Sequence, residues 1–386
     1  MCGRPVRWSP GERPGMKAPY AIPLVLLLLL CLPATAVAEA APLWTHVIGG
    51  KGVSAVAISG DGTTVCAAGE DGLICLSDEG TVQWSSPLRM FDVALSDDGG
   101  VVVAGGFDLH IFGADGRTVG GGKVFNVIRS VDVLPDGTAY IASTDGSTIL
   151  EGTIQRDTAA ETDTGEDYFA VALVPGTDYL AAGTESGSVL LSSPGTGTVY
   201  WEYRASPKPV NDIAASDGAR TIAACTGDGM VYALSRTGLL LWSLPFDRPT
   251  GVAVSRDGES IAVCGSEGFA FYDRSGTKLT SVSTADRCRG IALNADATLA
   301  AVASIRDVSL YSLDNEGGAG GTGEGAPTAT IAGDGAGEMP SASPSPDGLF
   351  AATPDSPAEP APTRAAPAAL VAVMALIGLA GPGRKM

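Results

Sequence analysis

The sequence predicts an all-β fold built from seven copies of one four-stranded unit. Two observations carry this prediction: a repeat period of about 40 residues, and a tight turn of the Asp-Gly type at the same place in every repeat. Glycine adopts positive φ at little cost, so such a pair suits the hairpin after an apolar strand. The seven turns are Asp61-Gly62, Asp98-Gly99, Asp136-Gly137, Pro175-Gly176, Asp217-Gly218, Asp257-Gly258 and Asp296-Ala297.

The clearest copy of the unit is residues 53–86, VSAVAISGDGTTVCAAGEDGLICLSDEGTVQWSS. An alternating apolar strand precedes the Asp-Gly turn, a second strand of small apolar residues follows, and a third and a fourth strand complete the unit. A period near 40 with four strands per unit is typical of a β-propeller blade. Seven turns therefore predict a seven-bladed β-propeller over residues 39–313.

The two ends of the repeat region predict how the ring closes. The seventh repeat ends at its third strand, residues 308–313, and an extra strand at residues 43–48 precedes the first repeat. Trp44 stands in this extra strand where Trp84, Trp201 and Trp242 stand in the fourth strands of other repeats. We expect the N-terminal strand to complete the last blade, which leaves no exposed edge at the junction, and the tryptophans to pack between blades.

The repeat at residues 227–242, GDGMVYALSRTGLLLW, resembles the WD40-like repeats of the PQQ-like (pyrroloquinoline quinone-type) β-propeller group. Residues 187–201 and 72–84 are weaker copies. The resemblance implies the fold, but propellers host many unrelated functions. Quinone-dependent dehydrogenases share this repeat type, usually with eight blades, a calcium ion and a catalytic Asp. No such motif can be placed here, so we expect no cofactor, and a cofactor- or metal-dependent enzyme using the central channel is the alternative.

Both ends of the chain predict targeting segments. Residues 1–38 predict a signal peptide with an upstream extension: Lys17, an apolar run and Ala36-Val37-Ala38 precede a cleavage site. Residues 314–364 are a Gly-, Ala-, Pro-, Ser- and Thr-rich stretch that we expect to form a disordered stalk. Residues 365–386 hold an apolar run and a basic end, which resemble the C-terminal anchor or sorting tails of archaeal and bacterial surface proteins. We therefore expect export and attachment to the outer face of the membrane.

The chain is strongly acidic, with a net charge of −19. This argues against nucleic acid as a partner, because lysine and arginine dominate binding to phosphates. It also favours a soluble monomer. The sequence has only two histidines, His46 and His110. It has neither a Cys-x-x-Cys motif nor a Cys/His spacing typical of metal ligands, so we expect no zinc site.

Cysteine positions predict one candidate disulfide. Cys66 and Cys75 fall opposite each other on adjacent strands if Glu70-Asp71 is a two-residue turn. Export would favour oxidation, and two buried thiols are the alternative.

An acidic segment interrupts the repeat rhythm at residues 157–167, DTAAETDTGED. Calcium binds loops rich in carboxylates, but the usual Asp-x-Asp spacing is missing. We expect a solvated loop.

Positive charges concentrate in the segments that come just before the first strand of each repeat. In propellers of this type these loops surround the mouth of the central channel. A basic ring on an acidic protein would attract an anionic ligand, such as a partner protein's acidic segment or an anionic glycan; the alternative is that neighbouring carboxylates neutralise it. The candidate rim residues are Lys51, Arg89, Phe91, Arg129, Tyr168, Lys208, Arg248, Arg287 and Arg289.

The sequence therefore predicts a non-enzymatic binding or scaffold module at the cell surface. A structural envelope component is a further alternative, which self-association would favour. The repeat pattern supplies a rigid platform with variable loops, and it does not identify the ligand.

Overall fold

Seven four-stranded antiparallel sheets make up the fold. The structure is a computed structural model that describes Gly3 and residues 41–48, 50–154 and 159–313. The predicted all-β, seven-bladed architecture is confirmed within these ranges, where the one helical element is a 3₁₀ turn, Asp217–Ala219. In the same ranges no helix combines the length and the apolar character that crossing a membrane requires. The predicted signal peptide, stalk and C-terminal anchor lie outside the described residues, apart from Gly3.

The first half of the ring follows the predicted repeats in chain order, after a short strand β1. Each sheet runs from an innermost strand at the channel to an outermost strand at the rim. The strands are β1 (Trp44–Val47); blade 1, β2 (Val53–Ile58), β3 (Thr64–Gly69), β4 (Gly72–Ser77) and β5 (Val82–Ser86); blade 2, β6 (Met90–Leu95), β7 (Val101–Gly106), β8 (Asp108–Gly113) and β9 (Thr118–Lys123); blade 3, β10 (Ile128–Val133), β11 (Ala139–Thr144), β12 (Thr148–Thr153) and β13 (Ala160–Asp163).

The second half repeats the same order and ends one strand short. Its last sheet has only three strands of its own, which β1 completes. The strands are blade 4, β14 (Tyr168–Val174), β15 (Tyr179–Thr184), β16 (Ser188–Ser193) and β17 (Thr198–Arg204); blade 5, β18 (Val210–Ala215), β19 (Ile222–Thr226), β20 (Met230–Leu234) and β21 (Leu240–Pro245); blade 6, β22 (Gly251–Val254), β23 (Ser260–Gly265), β24 (Gly268–Asp273) and β25 (Lys278–Ser283); blade 7, β26 (Cys288–Leu293), β27 (Leu299–Ser304) and β28 (Asp307–Ser312).

The closing strand lies where the sequence predicted it. β1 pairs antiparallel with β28, with Trp44 opposite Leu310 and His46 opposite Val308. The backbone N–H of Leu43 adds a hydrogen bond of 2.7 Å to the carbonyl of Leu310. The last blade is thus assembled from both ends of the repeat region.

Burial follows the position of each strand in its blade. The second strand is covered on both faces, and β3, TVCAAG, is buried at every residue. The outermost strand β5, VQWSS, is mainly exposed. Small apolar residues in the second strands let neighbouring blades pack closely, so the core is a ring of clusters between adjacent sheets.

Four tryptophans lock adjacent blades together, as predicted. Each indole ring lies against a glycine in the turn between the third and fourth strands of the next blade. A Cβ on Gly238, for example, would lie 2.8 Å from Cδ2 of Trp201. Three of the four rings also donate an Nε1–H hydrogen bond to a carbonyl of that turn. The pairs are Trp44 on Gly80, Trp84 on Gly116, Trp201 on Gly238 and Trp242 on Gly276.

The acidic segment at residues 157–167 differs from the prediction. It is not wholly a loop, because β13 (Ala160–Asp163) pairs with β12 as the outermost strand of blade 3. Glu161 stands opposite Leu150 in this pair. The outermost strand of a blade contacts solvent along much of its length, so it accepts acidic residues without burying them.

Candidate binding site at the channel mouth

The seven innermost strands surround a central channel of about 380 Å³. Because strands alternate in direction within each blade, the turns before the innermost strand and those between the second and third strands lie at one end of the channel. We call this end the mouth face. The other turns lie at the opposite end, which we call the base.

A β-bulge near the start of the innermost strand aims one side chain into the channel mouth. In blade 2, Met90 pairs with Gly106 and Asp92 with Gly105, which leaves Phe91 unpaired between them. A bulge redirects the extra residue in this way. The same register shift occurs in blades 1, 2, 3, 4, 5 and 7. Blade 6 has no such shift, and there Thr250 lines the channel. The bulge residues are Ser54, Phe91, Arg129, Phe169, Asn211 and Arg289.

Tyr168 does not lie on the rim, which corrects the expectation from the sequence. Its side chain is buried at 5% exposure and packs with Ile141 and Leu180 between blades 3 and 4. Tyr168 pairs with Thr184, so the bulge falls on Phe169 instead. The sequence places two aromatic residues side by side and does not say which of them occupies the bulge.

Two rim arginines are neutralised by neighbouring carboxylates. Arg89 forms a salt bridge of 3.1 Å with Glu70, and its guanidinium lies 4.9 Å from the ring centre of Phe91. Arg129 forms a salt bridge of 3.0 Å with Asp145. Its guanidinium lies 4.7 Å from the ring centre of Phe169. On this side of the mouth, cations and aromatic rings form a cation–π surface.

The other five rim cations form no ion pair with any described residue. Four of these five belong to the turns and strands that lead into blades 5, 6 and 7. Arg89 and Arg287 directly precede the first residues of their innermost strands. Lys208 stands one residue further away, because Pro209 lies between it and Val210. The five are Lys51, Lys208, Arg248, Arg287 and Arg289.

Two of these cations share a groove of about 440 Å³ on the mouth face. Arg248 and Arg287 line it, together with the acidic residues Asp228 and Asp247. The Nε of Arg287 is buried and has no hydrogen-bond partner among the described residues. A buried donor without a partner is costly in free energy, but a buried atom is not accessible to a ligand, so the groove is a candidate site through its two cations rather than through this Nε.

Three aspartates inside the channel were not predicted as functional. Asp92, Asp132 and Asp212 each accept two backbone hydrogen bonds, one from the next residue and one from the innermost strand of the following blade. The second bond of Asp132, for example, comes from Leu173 N–H at 2.7 Å. The carboxylates therefore connect neighbouring blades. The only sequence signal for these residues is that one aspartate stands within each of three innermost strands.

Burial is the main influence on these three carboxyl groups. It raises the pKa of Asp92 to about 6 and the pKa values of Asp132 and Asp212 to about 7. Backbone hydrogen bonds oppose the shifts, and the neighbouring carboxylates add to those of Asp132 and Asp212. The channel interior is acidic, whereas its mouth is basic.

The base of the channel is closed by the turns that follow the innermost strands. Backbone hydrogen bonds join these turns at six of the seven blade junctions, for example Ala295 N–H to Gly60 O at 3.0 Å. The junction between blades 3 and 4 has Pro135 and Pro175 instead, which lack an N–H. Arg256 of blade 6 reaches the Asp97 carboxylate of blade 2, and its Nε lies 3.7 Å from Asp217. Backbone hydrogen bonds and this ion pair therefore join the turns of the described residues around the base.

The five described cysteines are buried. Cys66 and Cys75 stand opposite each other across β3 and β4, and a disulfide joins them. Cys225, Cys264 and Cys288 are buried free thiols, and burial raises the pKa of each. In the part of the chain that the structure describes, no three His, Cys, Asp or Glu side chains are placed to hold a metal ion.

Comparisons with known proteins match the repeats. The family described as "Outer membrane protein assembly factor BamB" matches residues 170–310, and the family "WD domain, G-beta repeat" matches residues 43–78. A search of curated proteins found no match. A similar solved structure is the Cps50 (Swd1) β-propeller domain of Myceliophteria thermophila, with 12% sequence identity and a TM-score of 0.61. The match covers 69% of this chain and 98% of that one, and at this identity it concerns the fold alone.

Proposed function

We propose that this chain, a β-propeller of WD40/PQQ-like repeats, is an exported, membrane-tethered and non-enzymatic binding module. Its partner is a protein that places an acidic segment on the mouth face. The cations over blades 5 to 7 carry the proposal, because charges that form no ion pair with a described carboxylate remain available to a ligand, although Asp228 and Asp247 lie in the same groove.

The arrangement of the mouth face favours a peptide segment. Arg248 and Arg287 border one groove, and Arg289 stands at the channel edge beside it. The paired Arg89 and the aromatic ring of Phe91 lie across the mouth, where apolar side chains of the same segment can bind. A partner that carries carboxylates next to apolar residues would match both halves of the face.

The channel aspartates support a binding role over an enzymatic one. Each carboxylate of Asp92, Asp132 and Asp212 already accepts two backbone N–H groups. We infer that these groups hold adjacent blades in place. We assign none of them to catalysis.

A charge-reversal experiment tests the binding face. The full-length chain carrying Arg248→Glu, Arg287→Glu and Arg289→Glu is compared with the wild type for binding to a short fluorescent poly-glutamate peptide. We expect the affinity to fall by at least about tenfold, equivalent to about 1.4 kcal/mol. Binding by the wild type should also weaken as salt is added.

Two single variants serve as controls. Arg117→Glu changes an exposed cation at the base, and Arg89→Glu changes a cation already paired with Glu70. Both should bind the peptide more tightly than the triple variant does. Equal binding by the triple variant and the wild type would remove the mouth face from consideration, and selective binding of an acidic polysaccharide over poly-glutamate would identify a glycan as the ligand.

Export and tethering rest on the chain ends, and the envelope setting named by the matching family description is consistent with them. The N-terminal sequence of the protein purified from its host membranes tests this part of the proposal. We expect it to begin at Glu39, directly after Ala38. A soluble chain that keeps its first residues would contradict both export and tethering.

A further inference from the structure

Three of the seven blade junctions lack the tryptophan that packs at the other four, and the junction after blade 2 is one of them. Trp84, Trp201 and Trp242 stand opposite Cys75, Leu191 and Ala233 of the third strand in their own blades. Their rings then reach the next blade. In blade 2 the residue at this register position, opposite Ile111, is Gly120.

Two other junctions also lack the tryptophan but keep a side chain. The residue at this position is Ala160, opposite Glu151, in blade 3, and Thr280, opposite Phe271, in blade 6. The junction between blades 2 and 3 is therefore the one at which no side chain fills this position. Gly121 and Gly122 continue the strand, so the next two positions also lack a side chain.

A cavity of about 350 Å³ lies at this junction between blades 2 and 3. Its walls include Ile111, Tyr140 and Leu150, which are almost fully buried side chains of the two blades. Lys123 and Glu161 line it as well. These three large side chains thus form the inner wall, whereas the accessible lining as a whole is mainly polar and includes two charged residues.

We propose that this cavity binds a planar aromatic ring of the indole type. The same chain shows what fits between two of its blades, because four junctions hold an indole ring at the corresponding place. Three of those rings donate their N–H to a carbonyl oxygen. Here the Glu161 carboxylate can accept the ring N–H, and the Lys123 ammonium can lie over the ring face.

This inference is independent of the mouth face. The cavity opens on the outer strand β9 and involves none of the rim cations. The ring can come from a small free molecule or from a tryptophan side chain, and the two sources share one recognition chemistry. Two probes separate them: indole for the free molecule, and N-acetyl-tryptophanamide for the side chain on a backbone.

Ligand-observed NMR on the full-length chain, with all variants in the same detergent, tests the proposal. We expect the wild type to bind indole, and Gly120→Trp to weaken that binding at least tenfold because its own ring fills the cavity. The backbone permits this change: Gly120 is not among the glycines with positive φ, and an added Cβ would lie 3.4 Å from Cδ1 of Ile111. Gly120→Leu provides a second filling variant if the tryptophan variant does not fold.

Thr118→Trp is the matched control, since it adds the same side chain at an exposed position of the same strand. It should bind indole as the wild type does. Binding of N-acetyl-tryptophanamide as well would show that a protein side chain can enter, and binding of indole alone would indicate a free small molecule. No binding to the wild type, or equal binding to both filling variants and the wild type, would overturn the proposal.

Discussion

The guanidinium of Arg256 in blade 6 bonds to the carboxylate of Asp97 in blade 2, across the closed base of the channel. The two residues belong to blades that are not neighbours in the ring. Their hydrogen bond raises the pKa of Arg256, and Asp217 adds to the effect from blade 5. Through its contacts with Asp97 and Asp217, Arg256 therefore connects three blades at the base.

The first prediction concerns this ion pair. Arg256→Met should lower the free energy of unfolding by about 1 kcal/mol, since partly exposed ion pairs contribute up to that amount. Urea denaturation followed by circular dichroism measures the change. Arg117→Met removes an exposed cation bonded only to the nearby Asp115, so it should leave stability nearly unchanged. Equal effects of the two substitutions would show that the contact across the base contributes nothing.

The second prediction compares two glycines that have almost the same backbone conformation. Gly238 has φ +77 and lies under the ring of Trp201, whereas Gly176 has φ +75 and nothing lies within 4 Å of an added Cβ. Alanine at either position adopts a left-handed conformation, at a cost of about 1–2 kcal/mol. Only Gly238→Ala also displaces a tryptophan, which adds about 1–3 kcal/mol.

Thermal and urea unfolding of the two alanine variants provides the measurement. Gly238→Ala should lose more stability than Gly176→Ala. If both variants lose the same stability, the tryptophan contacts do not hold the blades together.

Much of this fold could be predicted from local sequence, because each blade carries its own turn. Asp61-Gly62 and its counterparts fix the first hairpin of each repeat, and Trp44 identifies the closing strand. The bulges could not be predicted, since Tyr168 and Phe169 are chemically alike and the register that separates them is set by pairing with β15. Arg256 and Asp97 lie 159 residues apart, and nothing in the local sequence of either residue indicates the other.

The candidate site was predictable in its charge but not in its detail. The concentration of cations before the first strands indicated the mouth face correctly as a place in the fold. Which of them are neutralised depends on the turns that bring Glu70 to Arg89 and Asp145 to Arg129. That the Nε of Arg287 has no hydrogen-bond partner among the described residues is a property of packing.

The third prediction concerns the disulfide between Cys66 and Cys75, which closes a short loop within blade 1. Peptide mapping of the denatured, unreduced protein should show both residues protected from alkylation, and Cys225, Cys264 and Cys288 modified. Replacing Cys66 and Cys75 together by alanine should cost about 2–4 kcal/mol. Alkylation of both residues without reductant would instead indicate two buried thiols.

The fourth prediction is that the propeller becomes less stable as the pH rises toward 8. Burial raises the pKa of Asp92 to about 6 and those of Asp132 and Asp212 to about 7, so the folded state holds protons that the unfolded chain releases. The stability from these protons is complete below the unfolded pKa of 3.8 and is lost as the pH rises through the folded values. Because ionisation of one of these carboxyl groups raises the pKa of its neighbours, the protons should be lost in steps that belong to the set of three rather than to single residues.

Urea unfolding at about pH 5 and about pH 8 measures this effect, which should reach at least about 1.4 kcal/mol, the equivalent of one pKa unit of a single group. Asp132→Asn should reduce the difference between the two pH values, although it also weakens the hydrogen bond to Leu173 and lowers stability at both. Asp136→Asn is the matched control: Thr138 bonds lower the pKa of Asp136, so the stability from that carboxylate is lost only in more acidic solution. A wild type that is more stable at about pH 8 than at about pH 5 would mean that the channel carboxylates are ionised in the folded protein and held so by their backbone N–H donors.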